Sequence, residues 1–134
     1  MEKTKTLVIN LGSTSTKVGI FQRDEKLWVE SIVHDRRLLE TPCLMDQYGV
    51  RARAVADALK LHGDTMDALE AVVSRGGILK PIPGGVYQIG KQMLEDTASG
   101  KYGVHPCNLA CHIAHGIAEQ YHIPALIVDP PATD

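Results

Sequence analysis

The sequence predicts an α/β domain whose mixed sheet starts with three antiparallel strands and continues with strands that alternate with helices. Three observations carry this. Residues 6–34 hold three apolar or alternating segments separated only by short polar turns. From Met45 onward apolar residues recur at helical spacing. Two short runs rich in branched residues, Leu69–Val73 and Pro124–Asp129, flank the later helical segments. Alternation of period two marks a half-buried strand, and a period near 3.6 marks a helix. Short turns join antiparallel strands, whereas intervening helices bring strands together in parallel.

Taken in order, Thr6–Leu11 is an apolar run read as a buried strand, and Gly12–Thr16 is a polar turn. Lys17–Gln22 and Leu27–His34 both alternate, so they read as the second and third strands, with a charged turn at Asp24–Lys26. Between Met45 and His62, Val50, Ala54, Ala58 and Leu61 fall on one helix face, and Gly63 supplies the stop. Leu69–Val73 reads as a buried parallel strand. Ile78–Gly85, with Pro81, Pro83, Gly84 and Gly85, reads as a loop. Met93–Thr97 is a short helical piece, and Asn108–Tyr121 a stronger helix with Leu109, Ile113 and Ile117 on one face. Pro124–Asp129 is the last strand, ended by Pro130 and Pro131. The expected order is β-β-β-α-β-α-α-β, with helices on the faces of the sheet. That is the layout of a ribonuclease-H-like (actin-like ATPase) domain, a fold that does not by itself choose a function.

Composition narrows the field. The 134 residues suit one domain, and 44% hydrophobic with 22% charged residues is ordinary for a globular chain. The formal net charge of −2 provides no basic field for nucleic acid or an anionic membrane. No run approaches the ~20 apolar residues that a membrane helix requires. The N-terminus lacks the apolar core of a signal peptide. Three cysteines, an odd and low count, fit a reducing cytosol, so a cytoplasmic location is expected.

Four groups of residues could carry chemistry. Asn10-Leu11-Gly12-Ser13-Thr14-Ser15-Thr16-Lys17 joins a close-approach glycine, four hydroxyls, turn N–H groups and a cation, a composition that cradles phosphate. It is not a Walker A loop, and a polar hairpin that binds nothing has the same composition. Arg75, at the carboxyl end of a buried strand and followed by Gly76 and Gly77, stands where open α/β sheets bind ligands. Its planar fork suits a carboxylate. Asp129, at the end of the last strand, could hold Mg²⁺ or cap a turn. Cys107, Cys111 and His115 recur in steps of four with His105 nearby, which raises zinc. Thiols on an alanine-rich helix face are more often core, and packing is the expectation here. A ribonuclease-H-like nuclease would want an acid where the first strand carries Asn10.

The chain resembles the butyrate kinase family, an acetate kinase-like branch of the acetate and sugar kinase/Hsp70/actin superfamily. The resemblance runs over essentially its whole length. Leu7–Lys17 is similar to the first signature of acetate-type kinases. Arg75-Gly76-Gly77-Ile78-Leu79-Lys80-Pro81-Ile82-Pro83-Gly84-Gly85-Val86-Tyr87 resembles butyrate kinase in particular. So do His105–Leu109 and Pro124–Pro130.

The resemblance implies an enzyme that moves a phosphoryl group between ATP and butyrate, or a similar short or branched carboxylate, giving ADP and an acyl phosphate with Mg²⁺. It places Asn10 beside the transferred group, and Gly12, Ser13, Ser15 and Lys17 on the phosphate loop. Arg75 would hold the carboxylate or acyl phosphate, Gly76 and Gly77 would open the acyl pocket, and Asp129 would organise Mg²⁺. Members of the family are more than twice this long. The resemblance therefore implies that residues 1–134 are the N-terminal domain of a two-domain kinase, that a nucleotide-binding domain follows, and that these residues alone do not turn over. It also implies a homo-oligomer, a dimer or larger, for the full-length enzyme. A branched-chain or general short-chain carboxylate kinase is the nearest alternative, and a non-catalytic binding domain of the same fold the next.

Overall fold

The computed structural model describes residues 4–23, 25–75, 86–99 and 107–128. Strands β1 (Lys5–Leu11), β2 (Ser15–Gln22) and β3 (Glu25–Val33) form the expected meander. Helix α1 (Arg36–Leu39), a 3-10 turn at Leu44–Gln47 and helix α2 (Tyr48–Leu61) lead to β4 (Leu69–Arg75). Strand β5 (Val86–Gln88), helices α3 (Lys91–Ser99) and α4 (Cys107–Tyr121), and strand β6 (Ala125–Val128) complete it. The sheet runs β3-β2-β1-β4-β6-β5. β1, β4 and β6 are parallel neighbours, while β2, β3 and β5 run antiparallel to the strands they join.

Two elements exceed the sequence expectation. β5 has three residues, too few for a period to show, and is held by pairing to β6. α1 is a single turn capped by Asp35, whose carboxylate accepts from Arg37 N–H at 3.0 Å. The sequence predicts helices on the faces of the sheet, and among the described residues they lie on one. α4 packs on β1, β4 and β6, and α2 packs on β2 and α4. Both lie over the face that carries Leu7, Ile9 and Leu11, which are all but sealed from solvent. The opposite face, carrying Val8, Asn10 and Lys17, bears no helix among the described residues.

The core follows from the two periods. Alternation in β1 and β2 sends Leu7, Ile9, Leu11, Val18 and Ile20 inward. Helical spacing in α4 brings Leu109, Ala110, Ile113 and Ala114 onto them. Burying a leucine or isoleucine of this kind contributes about 1.5–3 kcal/mol. Cys111 lies in this core, where its Sγ–H donates to the Asn108 carbonyl at 3.2 Å. Burial pushes its thiol up from the ordinary value, although hydrogen bonds, that of Thr97 foremost, pull the other way. Cys111 is thus the packing residue expected of it. The side chain of Cys107, and His105, lie outside the described residues.

α2 ends as Gly63 predicts. Gly63 takes φ +73°, and Asp64 N–H reaches back to the Leu59 carbonyl at 2.9 Å. No helix among the described residues is long and apolar enough to cross a membrane.

Candidate functional site

The uncovered sheet face holds a cleft of about 270 Å³. Asn10 from β1, Lys17 from β2, Lys26 from β3 and Arg75 from β4 surround an apolar floor of Val8, Gly19, Phe21 and Val29. Asn10 and Lys17 are direct partners across the β1–β2 ladder, so both side chains rise from the same face. Ser74 pairs with Ile9, which puts Arg75 beside Asn10 at the carboxyl end of the parallel strands. Three of the residues singled out from the sequence therefore share one cleft. No aspartate or glutamate lines it among the described residues. Three cations and one amide over an apolar floor suit an anion with an apolar tail.

Gly76, Gly77 and Asp129 lie outside the described residues. Arg75 is in register with Val128, the residue before Asp129 in the chain.

The loop between β1 and β2 has a definite internal wiring. Gly12 N–H donates to the Ser15 carbonyl at 2.9 Å, so this donor closes the hairpin and is not presented outward as a cradle would need. A Cβ on Gly12 would come within 2.9 Å of Ser15 Oγ, which explains the glycine by close approach. Ser13 and Thr14 form the exposed tip.

Below the tip lies a residue that the sequence reading missed. The Arg51 side chain, from α2, is fully buried. Its Nη1 donates to the Ser15 carbonyl at 2.8 Å and to Thr16 Oγ1 at 3.4 Å, and its Nη2 to the Ser13 carbonyl at 3.2 Å. Nε donates to Gln47 Oε1 at 3.0 Å. His34 joins from the end of β3. Its N–H donates to the Thr14 carbonyl at 2.9 Å, and its ring Nε2 lies 2.8 Å from Thr16 Oγ1. Burial, followed by the charge of Arg51, holds the His34 pKa below the usual histidine value. The signal that could have found Arg51 is helical spacing: it stands three, four and seven residues before Ala54, Val55 and Ala58, on the buried face of α2, and Arg53 does not. Lys26 was also missed, although its partnership with Phe21 follows once β2 and β3 are paired.

Among the described residues no three His, Cys, Asp or Glu side chains gather for a metal ion. His115 instead pairs with Glu119 at 3.2 Å on the surface of α4.

The fold is that of a ribonuclease-H-like domain, the class to which acetate kinase domains belong. The acetate kinase of Porphyromonas gingivalis superposes with a TM-score of 0.59 at 15% identity, covering 93% of this chain and 37% of that one, a likeness of fold alone. The sequence is more specific, and the chain is a homologue of the butyrate kinases. It is 44% identical over 129 residues to a probable butyrate kinase of Coprothermobacter proteolyticus, and 46% identical over 133 residues to one of Maridesulfovibrio salexigens. These alignments cover 96% and 97% of the chain, and the chain spans 36% of the length of each relative. No family profile matches the chain.

Proposed function

We propose that this chain provides the carboxylate- and phosphate-binding half of a short-chain carboxylate kinase that acts on butyrate or a close analogue. The observation that carries the reading is the convergence of Asn10, Lys17 and Arg75 on one cleft whose described lining holds no acid, in a homologue of probable butyrate kinases.

The chemistry is phosphoryl transfer. A carboxylate oxygen forms a bond to the γ-phosphorus of ATP, the bond from that phosphorus to the β–γ bridging oxygen breaks, and ADP leaves. Such transfer rests on positioning and charge neutralisation. Arg75 holds the carboxylate with one oxygen in line. Asn10 stands beside the transferred group, and Lys17 neutralises charge that develops on it. Gly12, Ser13 and Ser15 shape the phosphate loop. A carboxylate is ionised at neutral pH, so no general base is needed.

Mg²⁺ neutralises phosphate oxygens when it is bound. The described cleft lining, cationic and without acids, fits the anions and not the metal; Asp129, the residue after Val128, is proposed to organise Mg²⁺, as the resemblance implies. The apolar floor and the Gly76–Gly77 pair together would accept the acyl tail. A following nucleotide-binding domain completes the enzyme, which works as a homo-oligomer, and residues 1–134 alone do not turn over.

The test is acyl phosphate formation from Mg-ATP and acids from acetate to valerate, trapped as hydroxamate. It is run on this chain and on a full-length kinase that carries it. The expected result is product only from the full-length protein, with a maximum at butyrate or isobutyrate. A maximum at acetate, or near-normal activity after Arg75→Ala, would overturn the assignment. A flat profile across the acids would favour a general short-chain carboxylate kinase.

A further inference from the structure

The loop between β1 and β2 turns three consecutive carbonyls inward. Those of Ser13, Thr14 and Ser15 accept, in turn, from Arg51 Nη2 at 3.2 Å, His34 N–H at 2.9 Å, and Arg51 Nη1 at 2.8 Å. In a trans peptide the carbonyl and the next N–H point in opposite directions. Holding the Ser13 and Thr14 carbonyls behind the loop therefore aims the N–H groups of Thr14 and Ser15 away from the clamp. The Thr14 N–H meets no partner among the described residues. Successive outward N–H groups form a nest for anions. An inward-facing guanidinium also places a permanent positive charge behind it.

We infer that Arg51 is a positioning residue for the phosphate loop: from its buried seat in α2 it holds the Ser13 carbonyl inward, so that the Thr14 N–H faces an incoming phosphate, while the His34 N–H holds the Thr14 carbonyl and so turns the Ser15 N–H. This rests on the reading of residues 10–17 as a phosphate site and adds to it a residue that touches no substrate. The planar fork is essential to the role. It reaches two carbonyls and one hydroxyl at once, which a lysine ammonium on a single stem cannot do. A purely structural arginine in the same seat would support the fold and leave the anion affinity of the loop unchanged.

The experiment uses the ¹⁵N-labelled 134-residue chain and inorganic pyrophosphate as probe. In the wild type, pyrophosphate is expected to shift the Thr14 and Ser15 amide signals saturably. Arg51→Lys, which keeps the charge and loses the fork, is expected to weaken that affinity about tenfold while the amide signals of β4 and β6 stay in place. Thr16→Val, which removes the 3.4 Å contact of Arg51 and the contact of the His34 ring but leaves both carbonyl bonds of Arg51, is expected to weaken it less. Binding within twofold of wild type in a folded Arg51→Lys chain overturns the inference and leaves the phosphate loop standing. Should Arg51→Lys fail to fold, the wild type decides. The Arg51 Nε–H signal is expected to move in step with Thr14 during the titration, and a stationary Arg51 signal overturns the inference. Absence of any shift at Thr14 and Ser15 in the wild type overturns the phosphate loop and the inference with it.

Discussion

The Trp28 indole lies flat on the His62 ring, with centroids 4.0 Å apart and planes 10° from parallel. Its Nε1–H donates to Asp64 Oδ2 at 2.6 Å, and Lys5 Nζ takes the other carboxylate oxygen at 2.6 Å. One carboxylate thus ties the start of β1, the middle of β3 and the end of α2. Burial alone would raise the Asp64 pKa, but the hydrogen bonds from Lys5 and Trp28 and the charges of Lys5 and His62 outweigh it, and the net shift is downward.

Asp64→Asn keeps the shape and removes the charge. It is expected to destabilise the fold by about 1–3 kcal/mol, because the Lys5 ammonium and the indole N–H lose a charged acceptor. Urea unfolding at neutral pH measures this. A loss below about 0.5 kcal/mol would mean that the Asp64 pair behaves as an ordinary surface pair.

Tyr48 and Gly116 make a second tie, between α2 and α4. A Cβ at Gly116 would stand 2.5 Å from Tyr48 Oη but 3.8 Å from its Cζ. Two effects compete in Gly116→Ala: a gain of about 1 kcal/mol in helix propensity, and a clash with a hydroxyl at the end of a rigid ring. The clash is expected to win in the wild type, with a net loss of about 1 kcal/mol. In a Tyr48→Phe background the hydroxyl is gone, and the same change is expected to stabilise by up to about 1 kcal/mol. The four unfolding free energies of this cycle decide it, and an unchanged sign in the two backgrounds would show that Oη is not the obstacle.

The legibility of this chain in its sequence follows physical lines. The meander could be read because β1 and β2 alternate cleanly, and a hairpin turn at Gly12–Ser15 makes Asn10 and Lys17 partners once the strands are drawn. Arg75 could be read from its place at the end of an apolar run. Strand β5 could not be read, since three residues have no period and its existence depends on the edge of β6. Arg51 and Arg53 show the limit most plainly. They lie two residues apart on one helix, yet Arg51 is sealed beneath the loop while the Arg53 side chain is 83% exposed. Helical spacing does place Arg51 on the face of Ala54, Val55 and Ala58 and Arg53 away from it, but local pattern does not show that the buried guanidinium meets the Ser13 and Ser15 carbonyls.

His122 follows α4 in the left-handed region, φ 57°, with its side chain exposed. Ile123 N–H reaches back to the Ala118 carbonyl at 3.0 Å, which is the bonding of a helix end that favours glycine. His122→Gly is expected to stabilise the fold by about 0.5–1 kcal/mol, since glycine meets no Cβ penalty there. Thermal unfolding measures this, and a lower midpoint for the variant would mean that the ring makes a contribution larger than the backbone strain it causes.

Among the described residues, two histidines are held below the ordinary value, and both bear on stability near neutrality. Burial, then the Arg51 charge, lowers the pKa of His34; burial, then the His115 charge, lowers that of His112, while a backbone hydrogen bond at Leu94 acts in the opposite sense. His112 Nε2 also lies 2.9 Å from Thr97 Oγ1. In both cases the folded chain binds a proton less readily than the unfolded chain, whose histidines titrate near about 6.5. Stability therefore rises with pH where the unfolded state holds more protons. The contribution is fully present above about 6.5, is lost as pH falls through the lowered folded values, and changes no further below them. The Asp64 contribution has the same sign, but it is lost only below about 3.9, outside this window. Urea unfolding at pH 7.5, 6.5 and 5.5 is expected to show a steady decline in free energy, and His112→Gln is expected to flatten it. An unfolding free energy that stays constant or increases toward pH 5.5 would mean that the two rings are as easily protonated in the fold as in the free chain, and that the Arg51–His34 pair beneath the loop is open to water.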